Sequence, residues 1–152
     1  MRLHVNMTVS NIDEAVRFYS TLFGTQPALL KEDYAKWELA DPARHFAVST
    51  HGSKAGVDHL GLQLENLDQL KEITGRVSSI RLPVLEQENT ACCYARSNKT
   101  WVTDPAGLAW EVFHTFEQTG TYGDTARLDA QRQQDATSQP CCARPASEAS
   151  KG

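Results

Sequence analysis

Two histidines sit at the same place in two copies of one short pattern. The run Leu-His-Val-Asn-Met-Thr-Val-Ser-Asn-Ile-Asp from Leu3 aligns with Asp-His-Leu-Gly-Leu-Gln-Leu-Glu-Asn-Leu-Asp from Asp58, which matches His4 with His59, Asn11 with Asn66 and Asp13 with Asp68. A third residue belongs with them. Glu111 is the lone carboxylate in an otherwise apolar strand-like run, Leu108 to Phe113. A buried carboxylate without a partner is very costly, so Glu111 needs a cation, either a metal or a Lys or Arg side chain. Two imidazoles and one carboxylate on a common face are a two-His-one-carboxylate metal set. His45, His51 and His114 have no matched partners and are read as structural.

The four cysteines form two adjacent pairs, Cys92-Cys93 and Cys141-Cys142. A bridge between neighbouring residues closes a strained ring, so the pairs read as thiols rather than as a disulfide framework. The chain has 152 residues, 40% hydrophobic and 22% charged, with net charge −4. That length suits one domain or two small modules sharing a core. The mild acidity gives no footprint for nucleic acid or an anionic membrane. No apolar run approaches the roughly 20 residues of a membrane span. The alternating N-terminus, Met1 to Asn6, lacks the apolar stretch of a secretory signal. A reducing cytoplasmic location is the expectation.

The elements that must carry these residues are legible from periodicity. Leu3, Val5, Met7 and Val9 alternate against His4, Asn6 and Thr8, as Leu60, Leu62 and Leu64 alternate against His59, Gly61 and Gln63. Each opening strand leads into a capped helix. Ser10 or Asn11 precedes Ile12, Ala15, Val16, Tyr19, Leu22 and Phe23, with Glu14 completing a capping box to Asn11 and Gly24 ending the helix. Asn66 precedes Leu67, Leu70, Ile73 and Val77 in the same way. Strands are expected at Ala28–Leu30, Ala35–Leu39 and His45–Thr50 in the first copy. In the second they are expected at Leu82–Gln87, Ala91–Arg96 and Trp101–Thr103, the last joined through the Asp104-Pro105-Ala106-Gly107 turn to Leu108–Phe113. The fold class is therefore α+β, with two β-α-β-β-β modules over about 1–52 and 57–116. After Phe116 only Tyr122 and Leu128 are large and apolar, and 117–152 is expected to be a polar, disordered tail.

Together, the doubled module, the opening His-x6-Asn in both copies, and Asp104-Pro105-Ala106-Gly107 leading into Trp110-Glu111-Val112-Phe113 resemble the vicinal oxygen chelate superfamily, which includes glyoxalases, fosfomycin-resistance proteins and extradiol dioxygenases. The resemblance implies a mixed sheet cupped around a metal held by His4, His59 and Glu111. The family's fourth ligand position is expected within Phe46-Ala47-Val48, where nothing binds a metal. A three-ligand site leaves positions for substrate and dioxygen on Fe(II), with Mn, Co or Ni fitting the same donors.

The run Glu86 to Ala95, with Cys92-Cys93, followed by Lys99-Thr100-Trp101-Val102, resembles the organoarsenical carbon–arsenic lyase branch, whose members are also called cadmium-induced or glyoxalase-like. That implies an Fe(II)-dependent dioxygenase which cleaves methyl- or aryl-arsenite and releases inorganic arsenite. Cys92 and Cys93 would bind the soft arsenic centre. Tyr94 and Lys99 are candidate lining residues, and Cys141-Cys142 a candidate capture pair in the tail. The implied partner is a small-molecule organoarsenical, and the chain a monomer or homodimer. Two other functions compete: a metal-dependent thiol transferase of the fosfomycin-resistance type, and a non-enzymatic cadmium- or arsenic-binding protein.

Overall fold

A computed structural model describes residues 1–123. The expected tail beyond that point, including Cys141 and Cys142, lies outside the described residues. The elements run β1 (Arg2–Thr8), α1 (Ile12–Phe23), β2 (Leu29–Leu30), β3 (Tyr34–Ala40), β4 (Ala43–Ser49), β5 (Gly56–Leu64), α2 (Leu67–Ser79), β6 (Leu85–Cys92), β7 (Ala95–Thr103) and β8 (Ala109–Gln118). This is the expected β-α-β-β-β order, twice. The strands form one mixed sheet in the order β2-β3-β4-β1-β5-β8-β7-β6. β1 pairs with β4 and β5 with β8 in parallel, and the two opening strands pair antiparallel at the centre.

Local chemistry accounts for the helices. The Asn11 and Asn66 side chains accept from the backbone N–H of Glu14 and Gln69, each at 3.0 Å. Gly24 ends α1 in the left-handed conformation, φ +67°. Both helices cover the same face of the sheet. Ile12 and Ala15 pack on Ala35, Trp37 and Val48, with Tyr19, Phe23 and Phe46 around them. The α2 cluster is smaller, Leu70 and Ile73 against Leu62, Leu64 and Val112, and a Thr74–Thr100 hydrogen bond of 2.7 Å joins α2 to β7.

Side chains alternate across a strand, so burying those apolar residues under the helices sends the intervening ones to the opposite, concave face. His4 lies beside His45 on β4 and Gly61 on β5, and Gly61 lies beside Glu111 on β8. Lateral neighbours share a face. One layer of the cup therefore carries His45, His4, Gly61 and Glu111 in a row.

The second module departs from expectation after α2. The strands expected at Ala91–Arg96 and Trp101–Thr103 are replaced by two longer ones that meet at a two-residue turn, Cys93-Tyr94. The residues between the expected strands, Glu88 to Thr90 and Ser97 to Thr100, also join the β6–β7 ladder, and the chain turns inside the expected Ala91–Arg96 strand. A register shift between Gln87 and Thr90 absorbs Asn89 at φ +49°, whose N–H donates to Asn98 Oδ1 at 2.8 Å. β8 also continues through Gln118, beyond the expected strand end at Phe113 and into the first residues of the expected tail, and Gly123 bridges back to Cys92. The Asp104 turn forms as expected, with the Asp104 carboxylate accepting from Ala106 N–H, Leu108 N–H and the Trp110 indole.

Gly61 is required by close approach. A β-carbon there would collide with the carbonyl oxygen of Glu111. Gly61→Ala is expected to push β5 from β8, lowering stability by about 1–3 kcal/mol and weakening divalent-metal binding. Urea unfolding and metal titration read both effects, and a variant unchanged in both contradicts the close approach.

Candidate metal and thiol site

Three side chains converge in the cup. His4, His59 and Glu111 are all buried, and their ligand atoms lie within 4.8 Å of one another. The imidazole Nε2 atoms are 3.0 Å apart, and Glu111 Oε2 is 3.6 Å from that of His4 and 3.3 Å from that of His59. Metal–ligand bonds of about 2.1 Å place neighbouring corners of an octahedron about 3.0 Å apart. The donor set has that size. Both rings are also aimed. His4 Nδ1–H donates to the His45 carbonyl at 3.3 Å, and His59 Nδ1–H donates to Asp58 at 2.6 Å. Each leaves its Nε2 lone pair facing the cluster, the usual support for a metal-binding histidine.

Glu111 meets the side-chain cation considered for it and keeps one oxygen on the possible metal cluster. Lys99, itself buried, donates to Oε1 at 2.6 Å, while Oε2 faces the histidines. Burial would raise the Glu111 pKa, but Lys99 and the two histidines override it and hold the carboxyl well below its usual range. Burial would likewise lower Lys99, yet Glu111 and the cysteines leave it raised and charged. His4 is pulled down to about 4, mainly by burial and only partly offset by Glu111. Burial also acts downward on His59, but its bonds to Asp58 and Glu111 outweigh it and the pKa is raised.

A further imidazole lies beside the cluster. The β4 residue level with His4 is His45, one position before the stretch expected to hold the fourth family ligand, and it is an imidazole. Its ring is buried 4.6 Å from that of His4, and neither nitrogen has a hydrogen-bond partner among the described residues. Burial first, then neighbouring His4, lowers its pKa well below the ordinary value, so it is a neutral ring. It stands beside the three-residue cluster rather than within it. Histidine 51 and histidine 114 do make structural bonds, His51 to Asp33 at 2.6 Å and His114 to the Leu64 carbonyl at 3.2 Å.

The thiols sit on the β6–β7 hairpin. Cys92 is buried, Cys93 half-buried, and both are free, with Sγ atoms 3.1 Å apart. The hydrogen bond they share lowers the Cys92 pKa against the effect of burial, with Lys99 assisting. The same bond, with burial, pushes Cys93 well up. Cys92 is thus the readier thiolate. Tyr94 does not present its hydroxyl to the metal cluster. It donates to Asp33 at 2.5 Å, which raises its pKa to about 12. Asp33, His51 and Tyr122 around the hairpin carried no signal in the sequence, because only the meeting of the two modules brings them together.

The family pattern described as glyoxalase/bleomycin resistance protein/dioxygenase superfamily matches residues 2–112. A protein named trivalent organoarsenical cleaving enzyme from Bacillus sp. (strain MD1) is 33% identical over 150 residues, covering 95% of this chain and 91% of the relative. One of the same name from Thermomonospora curvata is 36% identical over 114 residues, covering 74% and 76%. The cadmium-induced protein CadI of Mycobacterium bovis is 29% identical over 142 residues, covering 93% and 92%. Among solved structures, an extradiol ring-cleaving dioxygenase from B. fuscum superposes with a TM-score of 0.59 at 12% identity, over 87% of this chain and 36% of that one. A Mn(II)-bound glyoxalase from Novosphingobium aromaticivorans gives 0.57 at 14% identity, over 76% and 39%. The two structures bear on the fold.

The electrostatics predict two outcomes. Lys99→Met leaves buried Glu111 Oε1 without its partner and only the histidines at Oε2, which costs up to about 3–5 kcal/mol in metal-free protein, and a saturating divalent metal restores much of it. Equal losses with and without metal contradict the shared-carboxylate geometry. For His59, a raised folded pKa stabilises the metal-free protein fully below the model-peptide value of 6.5 and loses that contribution as pH rises through the folded value. Metal must displace that proton. Below the raised pKa of His59, Mn(II) affinity is expected to fall roughly tenfold per pH unit, with His4 joining only near pH 4. A titration followed by electron paramagnetic resonance checks this, and a flat profile contradicts it.

Proposed function

The chain belongs to the glyoxalase/bleomycin resistance protein/dioxygenase superfamily, and we propose that it is an Fe(II)-dependent dioxygenase that cleaves the carbon–arsenic bond of trivalent organoarsenicals. Its substrates are methyl- or aryl-arsenite and its product inorganic arsenite, a detoxification carried out in the reducing cytoplasm. One observation carries the reading. A three-donor metal cluster, its carboxylate bonded to the buried Lys99, and a pinched pair of free thiols stand on one sheet, with Lys99 and the thiols both on the β6–β7 hairpin. The organoarsenical-cleaving names of the relatives support the same substrate class.

Each residue has a distinct task. His4, His59 and Glu111 Oε2 hold the metal; Mn, Co and Ni fit the same donors. Fe(II), when bound, supplies the dioxygen chemistry. Cys92 and Cys93 are soft donors that seat the arsenic. Lys99 occupies Glu111 Oε1, so the carboxylate offers its other oxygen to the metal, and the same charge favours a Cys92 thiolate. No residue in the cup stands out as a general base, which suits chemistry carried by a metal and dioxygen.

The test uses protein purified without oxygen, loaded with Fe(II) and given methylarsenite, with arsenite measured. Arsenite is expected only when iron and oxygen are both present. Glu111→Ala should lower the rate at least about a hundredfold, the upper end of what losing a ligand's supporting partner costs. Cys92→Ser and Cys93→Ser should each abolish turnover. Equal arsenite without iron or oxygen contradicts the dioxygenase reading. Soft-metal binding that survives Glu111→Ala, with no arsenite formed by the parent, points instead to a sequestering protein.

A further inference from the structure

Adjacent residues of a β-strand point to opposite faces. Two neighbouring cysteines in an extended strand therefore cannot close on one atom, and the chain must turn between them. It does so here. Cys93 and Tyr94 form the two-residue turn between β6 and β7, with φ of +57° and +61°. Positive φ at both central positions marks the tight hairpin turn that favours Asn-Gly. For residues with a β-carbon it costs roughly 1–2 kcal/mol each. The turn swings the Cys93 thiol back to 3.1 Å from that of Cys92.

Something must hold so unfavourable a turn. The β6–β7 ladder pairs Cys92 with Ala95 on its two sides, and Thr119 N–H donates to the Tyr94 carbonyl at 2.8 Å. The side chain is held more firmly. Its hydroxyl donates to the Asp33 carboxylate at 2.5 Å, a charge-assisted bond from the second module to the loop before β3 in the first. Asp33 is fixed in turn by His51 at 2.6 Å, and the His51 ring stacks on Tyr122 at 3.7 Å. The Tyr34 and Tyr122 rings each lie 5.8 Å from that of Tyr94.

We propose that Asp33 and Tyr94 are positioning residues for the thiol pair. Their bond between modules keeps the Cys93-Tyr94 turn in the conformation that lets Cys92 and Cys93 chelate one trivalent arsenic carrying a single organic group. The inference rests on the arsenical reading above and adds to it the residues that make adjacent cysteines a chelate. The binding step balances without redox change. Two As–O bonds of R–As(OH)2 break, two As–S bonds form, and the two thiol protons leave with the hydroxyls as two waters.

The test uses the full chain carrying Cys141→Ser and Cys142→Ser, so that one thiol pair is left. Phenylarsine oxide is titrated anaerobically by tryptophan fluorescence, with and without excess glutathione, a monothiol that strips singly bound arsenic more readily than chelated arsenic. Tyr94→Phe and Asp33→Ala should each weaken binding about tenfold and sensitise it to glutathione. The double variant should be no weaker than either single one, because both remove the same bond. Circular dichroism and Mn(II) affinity serve as controls, and Tyr94→Phe alone decides if Asp33→Ala does not fold. Parent-like, glutathione-resistant binding by Tyr94→Phe overturns the positioning role while leaving the arsenical reading intact, as do fully additive losses in the double variant. A parent that fails to hold phenylarsine oxide against glutathione overturns the arsenical reading and this inference together.

Discussion

The structure is organised around one buried negative charge. Glu111 is buried on an interior strand of the sheet, where an unpaired carboxylate would be strongly destabilising. Its two oxygens are answered from different sides, Oε1 by Lys99 across the β7–β8 pair and Oε2 by the imidazoles of the two opening strands. Gly61 makes the arrangement fit, because any side chain there would displace the strand that carries Glu111. A metal held by His4, His59 and Glu111 would add its charge on the side of Oε2, away from the lysine at Oε1.

Duplication supplies the rest. Two β-α-β-β-β modules joined back to back through β1 and β5 bring equivalent positions, His4 and His59, to one place. The modules are not equivalent in use. The first has the larger aromatic core and contributes Asp33 and His51, while the second contributes Glu111, Lys99 and the thiol hairpin. The hairpin reaches back to the first module through Tyr94. Each half thus depends on the other, which is a physical reason for the halves to share one chain.

Much of this was legible in the residues alone. The alternation of β1 and β5, the two asparagine caps and the Asp104 turn are local signals, and local physics produces them. The convergence of His4, His59 and Glu111 follows from strand facing, once the apolar faces are assigned to the helices. His45 was hidden because lateral register between the parallel strands β1 and β4 leaves no trace in local sequence. The continuous β6 and β7 were hidden because their residues are polar on both faces, so alternation carries little contrast. The Asp33–Tyr94 bond spans 61 residues between two loops, and no periodicity announces it.

In the proposed function the metal cluster and the thiol pair serve one site. The most direct measurement is the electron paramagnetic resonance spectrum of the Fe(II) protein with nitric oxide, taken without oxygen before and after adding phenylarsenite. The nitrosyl signal is expected to change its rhombicity on adding the arsenical in the parent protein and to stay unchanged in Cys92→Ser. A parent signal indifferent to the arsenical, although phenylarsenite is bound to the thiols, would contradict it.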